Sequence, residues 1–110
     1  MITVTNAVTA TVPTEPLASD FVVDGAPASG IVDLPGPPGL EVGIWEHSPG
    51  VSTDVEVDEV FVVISGRATI AAEGHPPVEV GPGDVVRLEE GTATTWTVHE
   101  TLRKVYVTLA

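Results

Sequence analysis

The chain has 110 residues, no cysteine, and 16 acidic against 4 basic side chains, for a net charge of −12. The length sets a single domain able to bury a core without staples, and the missing thiols exclude disulfide frameworks, thiolate metal sites and cysteine nucleophiles. So acidic a surface repels phosphate backbones and anionic lipid, so neither nucleic acid nor membrane is expected as a partner, and a neutral or basic small molecule is what the charge permits.

The opening residues Met-Ile-Thr-Val-Thr carry no Lys or Arg ahead of an apolar core, and no apolar run reaches the roughly 18 residues of a membrane span. A cytoplasmic location is therefore expected. The 11 glycines and 10 prolines are spaced so that few segments suit a helix of ordinary length, which leaves short strands and turns. Met1 to Val12, rich in Thr and Val, is predicted as an edge strand or arm ended by Pro13 and Pro16. Leu17 to Val23 follows as a strand closed by Asp24-Gly25-Ala26-Pro27, then Gly30 to Leu34, then a Pro-Gly loop over 35–39 that no regular element crosses. Residues 1–39 are read as strands and an arm completing the barrel formed by 40–110.

Leu40 to His47 resumes as a strand with Gly43, Trp45 and His47 on one face. The strongest strand signal runs from Val55 to Gly66, because branching at Cβ restricts χ1 in a helix and packs well on a pleated sheet. Alternation puts Glu59, Phe61 and Val63 on one side and Val60, Val62 and Ile64 on the other. A strand apolar on both sides asks for a cover on its outer face, from another strand layer or a second subunit. Glu59 is then either a carboxylate lining a cavity or a residue at the strand's wet end. Arg67 to Ala72, Val78 to Val80, Val85 to Leu88, Thr92 to Val98 and Arg103 to Leu109 complete the set, parted by Glu73-Gly74, Gly81-Pro82-Gly83-Asp84 and Glu89-Glu90-Gly91. Eight or so short strands at this spacing specify an all-β fold, a jelly roll or small barrel.

Three pieces of the sequence line up. Glu59 precedes Gly66 by a six-residue gap, Gly83 precedes Glu89-Glu90-Gly91 by five, and Thr94 follows Gly91 by two. Together with Gly43-Ile44-Trp45-Glu46, Ser48-Pro49-Gly50, Asp58-Glu59, Trp96 and Arg103-Lys104-Val105-Tyr106, this resembles the two-motif pattern of the cupin superfamily, and within it the small domains related to the ureidoglycine aminohydrolase cupin domain. The resemblance implies a jelly-roll β-barrel whose cavity is the functional site. It also implies that most of the metal ligands are replaced: Ser52 and Asp54, or Thr53 and Val55, stand where the first motif has histidines, and Thr94 where the second has one. Of the usual ligands only Glu59 matches.

A cupin holds a first-row metal with about three imidazoles and a carboxylate. Here no cofactor is expected, and a weakly held divalent ion at Glu59 and Asp54 is the one metal option. His75 is expected to face solvent and His99, opposite in parity to Thr94 and Trp96, to face away from the cavity, whereas His47 shares a face with Trp45, either as a hydrogen-bonded structural histidine or as a partner in catalysis. Trp45, Phe61, Thr94 and Trp96 are candidate ligand contacts, against the alternative of plain packing. Three readings follow: a metal-free cupin binding a small organic molecule; an enzyme using Glu59 with His47 for acid–base chemistry on a ureido-type or other small polar substrate; and a non-catalytic homodimer joined through Val60, Val62 and Ile64. A homodimer is compatible with all three.

Overall fold

The computed structural model describes residues 1–110 and is built around two long antiparallel strands. Strand β6 (Glu59–Ala72) runs beside β9 (Ala93–Leu109) from Glu59 opposite Thr108 to Ala72 opposite Thr94. Both bend midway, where the register slips between Val63 and Ala68. Gly66 sits in that bend at φ +86°, a left-handed conformation that an L side chain resists. A Cβ there would lie 2.6 Å from the carbonyl carbon of Thr101.

Each half of this pair seeds its own sheet. The C-terminal half of β9 pairs with β4 (Leu40–His47), which pairs with β3 (Ala28–Leu34), and that in turn with β1 (Glu15–Pro16). β8 (Val85–Leu88) flanks the start of β6. The N-terminal half of β9 pairs with β5 (Gly50–Val55), which carries β2 (Val22–Asp24), while β7 (Val78–Val80) flanks the end of β6. The result is the jelly-roll barrel of the all-β prediction. Between the sheets, Phe61, Val63, Trp96, Leu102 and Tyr106 belong to one buried cluster, each large side chain contributing about 1.5–3 kcal/mol on burial.

Several element boundaries differ from the sequence reading. The run from Val55 to Ile64 is not one strand: Val55 ends β5, and residues 56–58 turn before β6 starts. The cause is a backbone clip, in which Glu56 donates its N–H to the Thr92 carbonyl (2.9 Å) and accepts from the N–H of Gly91 (2.8 Å). Gly66 does not end the strand, because its positive φ makes a bulge that β9 accompanies. Residues 93–109 form one strand rather than two, since neither Gly nor Pro interrupts the ladder. Leu17 to Val23 contains a 3-10 turn at Ser19–Phe21 leading into the short β2.

Residues 1–14 form an arm without strand pairing. The guanidinium Nη1 of Arg103 donates to the carbonyls of Ala7 (3.0 Å) and Ala10 (2.6 Å), while its Nε and Nη2 bond Glu46 (3.1 and 2.8 Å). The arm then crosses β3 at Gly30, where a Cβ would stand 2.9 Å from the Pro13 carbonyl carbon. It covers this end of the outer face, and both Val12 and Ile44 are buried. Beyond it, Val60 is 44% exposed and Val85 and Val107 are open as well, so no second layer of this chain covers the far end of that face. No helix is long and apolar enough to cross a membrane.

Candidate functional site

Inner-face residues of β4, β5, β6 and β9 surround a cavity of about 550 Å³, with Leu17, Ala18 and Phe21 at its lip. Alternation along each strand delivers its functional side chains: Trp45 and His47 from β4, Ser52 and Asp54 from β5, Glu59 from β6, and Trp96, Lys104 and Tyr106 from β9. Gly43, also inward, leaves the space that the Tyr106 ring fills, since a Cβ would meet its Cζ at 2.6 Å.

At the floor lies an ion pair. Lys104 Nζ donates to Glu59 Oε2 at 2.7 Å, and the two side chains are only 6% and 11% exposed. The ammonium also sits over three aromatic faces, 4.2 Å from the centroid of Phe61, 4.5 Å from Trp45 and 5.0 Å from Trp96. Each face offers a cation about 0.5–2 kcal/mol, the larger part of that range applying where water is excluded. Glu59 therefore lines the cavity, and the wet-end alternative falls away.

A second carboxyl stands nearby, in a turn where no periodicity of the sequence marks it. Glu56, 7% exposed, accepts a hydrogen bond from Thr94 Oγ1 (3.1 Å), and Thr94 Oγ1 accepts one from Trp96 Nε1 (3.0 Å). Burial, then the charges of Asp54 and Glu59, push the Glu56 pKa up to about 7, against the opposing pull of Lys104 and the Thr94 hydrogen bond. Burial is the first of these causes. A carboxyl with a raised folded-state pKa contributes stability that is complete below its unfolded value of 4.5 and is lost as pH climbs through about 7. Glu56→Gln is accordingly expected to match the parent near pH 4 and to exceed it at pH 8 by about 1–3 kcal/mol, allowing for screening through the cavity mouth. Urea unfolding at the two pH values checks this; a difference that does not change with pH rejects it.

His47 is buried against β5 with both ring nitrogens engaged. Nδ1 faces the Ser48 carbonyl at 2.6 Å and so carries the proton, leaving Nε2 to accept from Ser52 Oγ at 2.9 Å. Desolvation lowers its pKa, with Lys104 adding to the effect and the Ser48 bond opposing it. The ring is thus neutral and fixed, tilted against Trp45 at 5.3 Å.

Of the residues singled out from the sequence, Trp45, His47, Asp54, Glu59 and Trp96 share the cavity. Phe61 lies beneath Lys104 in the core, and Thr94 stands behind Glu56. Asp54 is exposed and caps the Val55 N–H (2.8 Å). His99 is on the outer surface beside Thr69, and His75 is exposed in a turn. The donor set does not fit a cupin metal: no three His, Asp or Glu side chains converge, Glu59 is held by Lys104, and His47 has no free nitrogen. Glu56 is the residue the sequence reading missed; Lys104, which with so few cations in the chain is expected to answer an acidic partner, does pair with Glu59, but it does so inside the cavity, and both residues are central to its electrostatics.

Comparison with known proteins agrees with this architecture. The profile of the EutQ-like cupin domain matches residues 39–106, while no curated protein sequence matches. The EutQ protein of Clostridium difficile is similar in structure at a TM-score of 0.66 and 24% identity, over 76% of this chain and 63% of its own. A protein of unknown function from Rhizobium leguminosarum gives 0.67 and 26%, over 74% of this chain and 80% of its own. One from Pseudomonas syringae gives 0.78 and 22%, over 90% and 44%. The chain thus spans less than two thirds of the Clostridium protein. The matched segment carries Trp45, His47, Glu56, Glu59, Trp96 and Lys104, and the chain belongs to the EutQ-like cupin domain family.

Proposed function

We propose that this domain binds a small polar organic molecule in the mouth of its barrel, without a metal ion. The observation that carries the reading is the buried Lys104–Glu59 pair, walled by Trp45, Phe61 and Trp96, at the floor of an open cavity. Pockets for small ligands combine apolar and aromatic walls with a few fixed polar groups, as this one does. Lys104 has spare N–H donors beside a carboxylate with a spare oxygen, so the floor suits a ligand that both accepts and donates. Small molecules retained through purification, identified by mass spectrometry and then titrated back, test the reading. Binding is expected to survive EDTA dialysis and to weaken about 3- to 10-fold in Trp45→Leu, the loss of one aromatic contact. Affinity that disappears with the chelator overturns it.

A second reading, an acid–base enzyme, is favoured by Glu56, whose pKa of about 7 suits proton transfer at neutral pH. Glu59, already paired, then serves as an orienting group. The likeness to the ureidoglycine aminohydrolase domain suggests a ureido substrate, whose carbonyl would meet Lys104 and whose N–H would meet Glu59. Glu56→Gln retaining full turnover of an identified substrate removes this reading.

A further inference from the structure

Resting on the small-molecule reading, we infer that the cavity promotes proton transfer at the carbon next to a ligand carbonyl, with Lys104 receiving the carbonyl oxygen and Glu56 taking the proton. Two groups of opposite task are needed for that chemistry, and both are present and fixed. Lys104 Nζ has a single hydrogen-bond acceptor, Glu59 Oε2 at 2.7 Å, and otherwise faces aromatic rings, which leaves N–H donors for an incoming oxygen in a water-poor environment. An ammonium preorganised in this way stabilises negative charge as it develops on oxygen.

Glu56 is positioned independently. Its backbone is clipped on both sides by Gly91 and Thr92. Its Oε1 is held by the relay from Trp96 through Thr94, leaving the other oxygen without a protein partner. Glu56 lines the same cavity as Lys104 and lies within reach of its charge. The other charged groups facing it are Asp54 from β5 and Glu59 from β6, and both raise its proton affinity. They make it a stronger base than a solvated glutamate, while Lys104 keeps part of its population ionised near neutral pH.

The step balances within the complex. The C–H bond breaks and its proton passes to Glu56; the bonding pair becomes the C=C bond of an enolate; the carbonyl π pair moves onto oxygen, against the Lys104 ammonium. Return of the proton to the same carbon gives exchange; where that carbon bears a hydroxyl, passage of the hydroxyl proton to the enolate oxygen and return of the Glu56 proton to the former carbonyl carbon gives isomerisation, in neither case with an oxidant, reductant or metal. Trp96 and Thr94 are positioning residues in this scheme, acting through Glu56.

The test is carried out in D2O with hydroxyacetone, pyruvate and cyclohexanone as probes, together with a general fragment library. Saturation-transfer NMR reads binding, and loss of the α-proton signal reads exchange in the same samples. At least one carbonyl probe is expected to bind and to exchange above the buffer rate. Glu56→Gln, which leaves the fold intact, should keep that binding and lower exchange about 100-fold or more. Lys104→Met combined with Glu59→Gln, which strands no charge, should lower it about 100- to 1,000-fold. Thr94→Val should shift the pH profile of exchange, an effect that a packing role would not produce. A carbonyl probe that binds the parent without enhanced exchange, exchange that persists undiminished in Glu56→Gln, or fragments that bind while carbonyl compounds do not, each overturn the inference and leave the binding reading intact. If no compound of any class binds, both fall.

Discussion

Lys104→Met is expected to cost about 3–5 kcal/mol of stability, because it leaves the Glu59 carboxylate in a largely buried site without its counter-charge. The aromatic faces of Trp45, Phe61 and Trp96 cannot compensate, since the faces of their rings repel an anion. Adding Glu59→Met to the same chain should restore most of the loss, as two packed apolar side chains replace the pair. Denaturant unfolding of the two single variants, the double variant and the parent closes the thermodynamic cycle. A Lys104→Met variant within about 1 kcal/mol of the parent would show that water reaches Glu59 and that the pair is not a dry floor.

Gly66→Ala is expected to be similarly damaging for a different reason. The residue holds φ +86°, which costs an alanine about 1–2 kcal/mol. In addition its methyl group would press on the Thr101 backbone, with the carbonyl carbon at 2.6 Å and the Cα of Leu102 at 2.8 Å. Neither atom can yield without moving β9, so we expect a total of about 3 kcal/mol or more. Gly74→Ala, also at positive φ (+81°) but with open space around it, is the control and should lose only the conformational part. Melting curves of the two variants separate strain from collision; equal losses would mean that the bend has room to relax.

Much of the fold was legible from the sequence, and so was one wall of the cavity. β-branched runs between Gly and Pro turns located nearly every strand, and period-two alternation put Glu59, Phe61 and Val63 on one face, where the structure has them. The same rule placed Trp45 and His47 inward together. That Lys104 answers an acidic partner is legible from the scarcity of cations, but its inward direction is lost when residues 92–110 are divided into two strands, which breaks the phase. Carried through without interruption, the alternation that turns Thr94, Trp96 and Val98 inward also turns Leu102, Lys104 and Tyr106 inward, as their burial shows. Glu56 carried no comparable signal. It lies in a turn, where periodicity has no meaning, and it is drawn into the cavity by backbone bonds to Gly91 and Thr92, some 35 residues distant in sequence. Burial of a carboxyl by a remote turn is a tertiary effect with no local sequence cost to mark it.

Because β6 and β9 each run through the bend into both sheets, the two halves of the barrel are joined along that side by continuous backbone rather than by side-chain contacts alone. Any opening large enough to expose the middle of β9 must disrupt the cavity floor and the Trp96–Thr94–Glu56 relay at once. The hydrophobic walls, the Lys104 pair and the Glu56 carboxyl therefore belong to one cooperative unit, which is lost or kept as a whole.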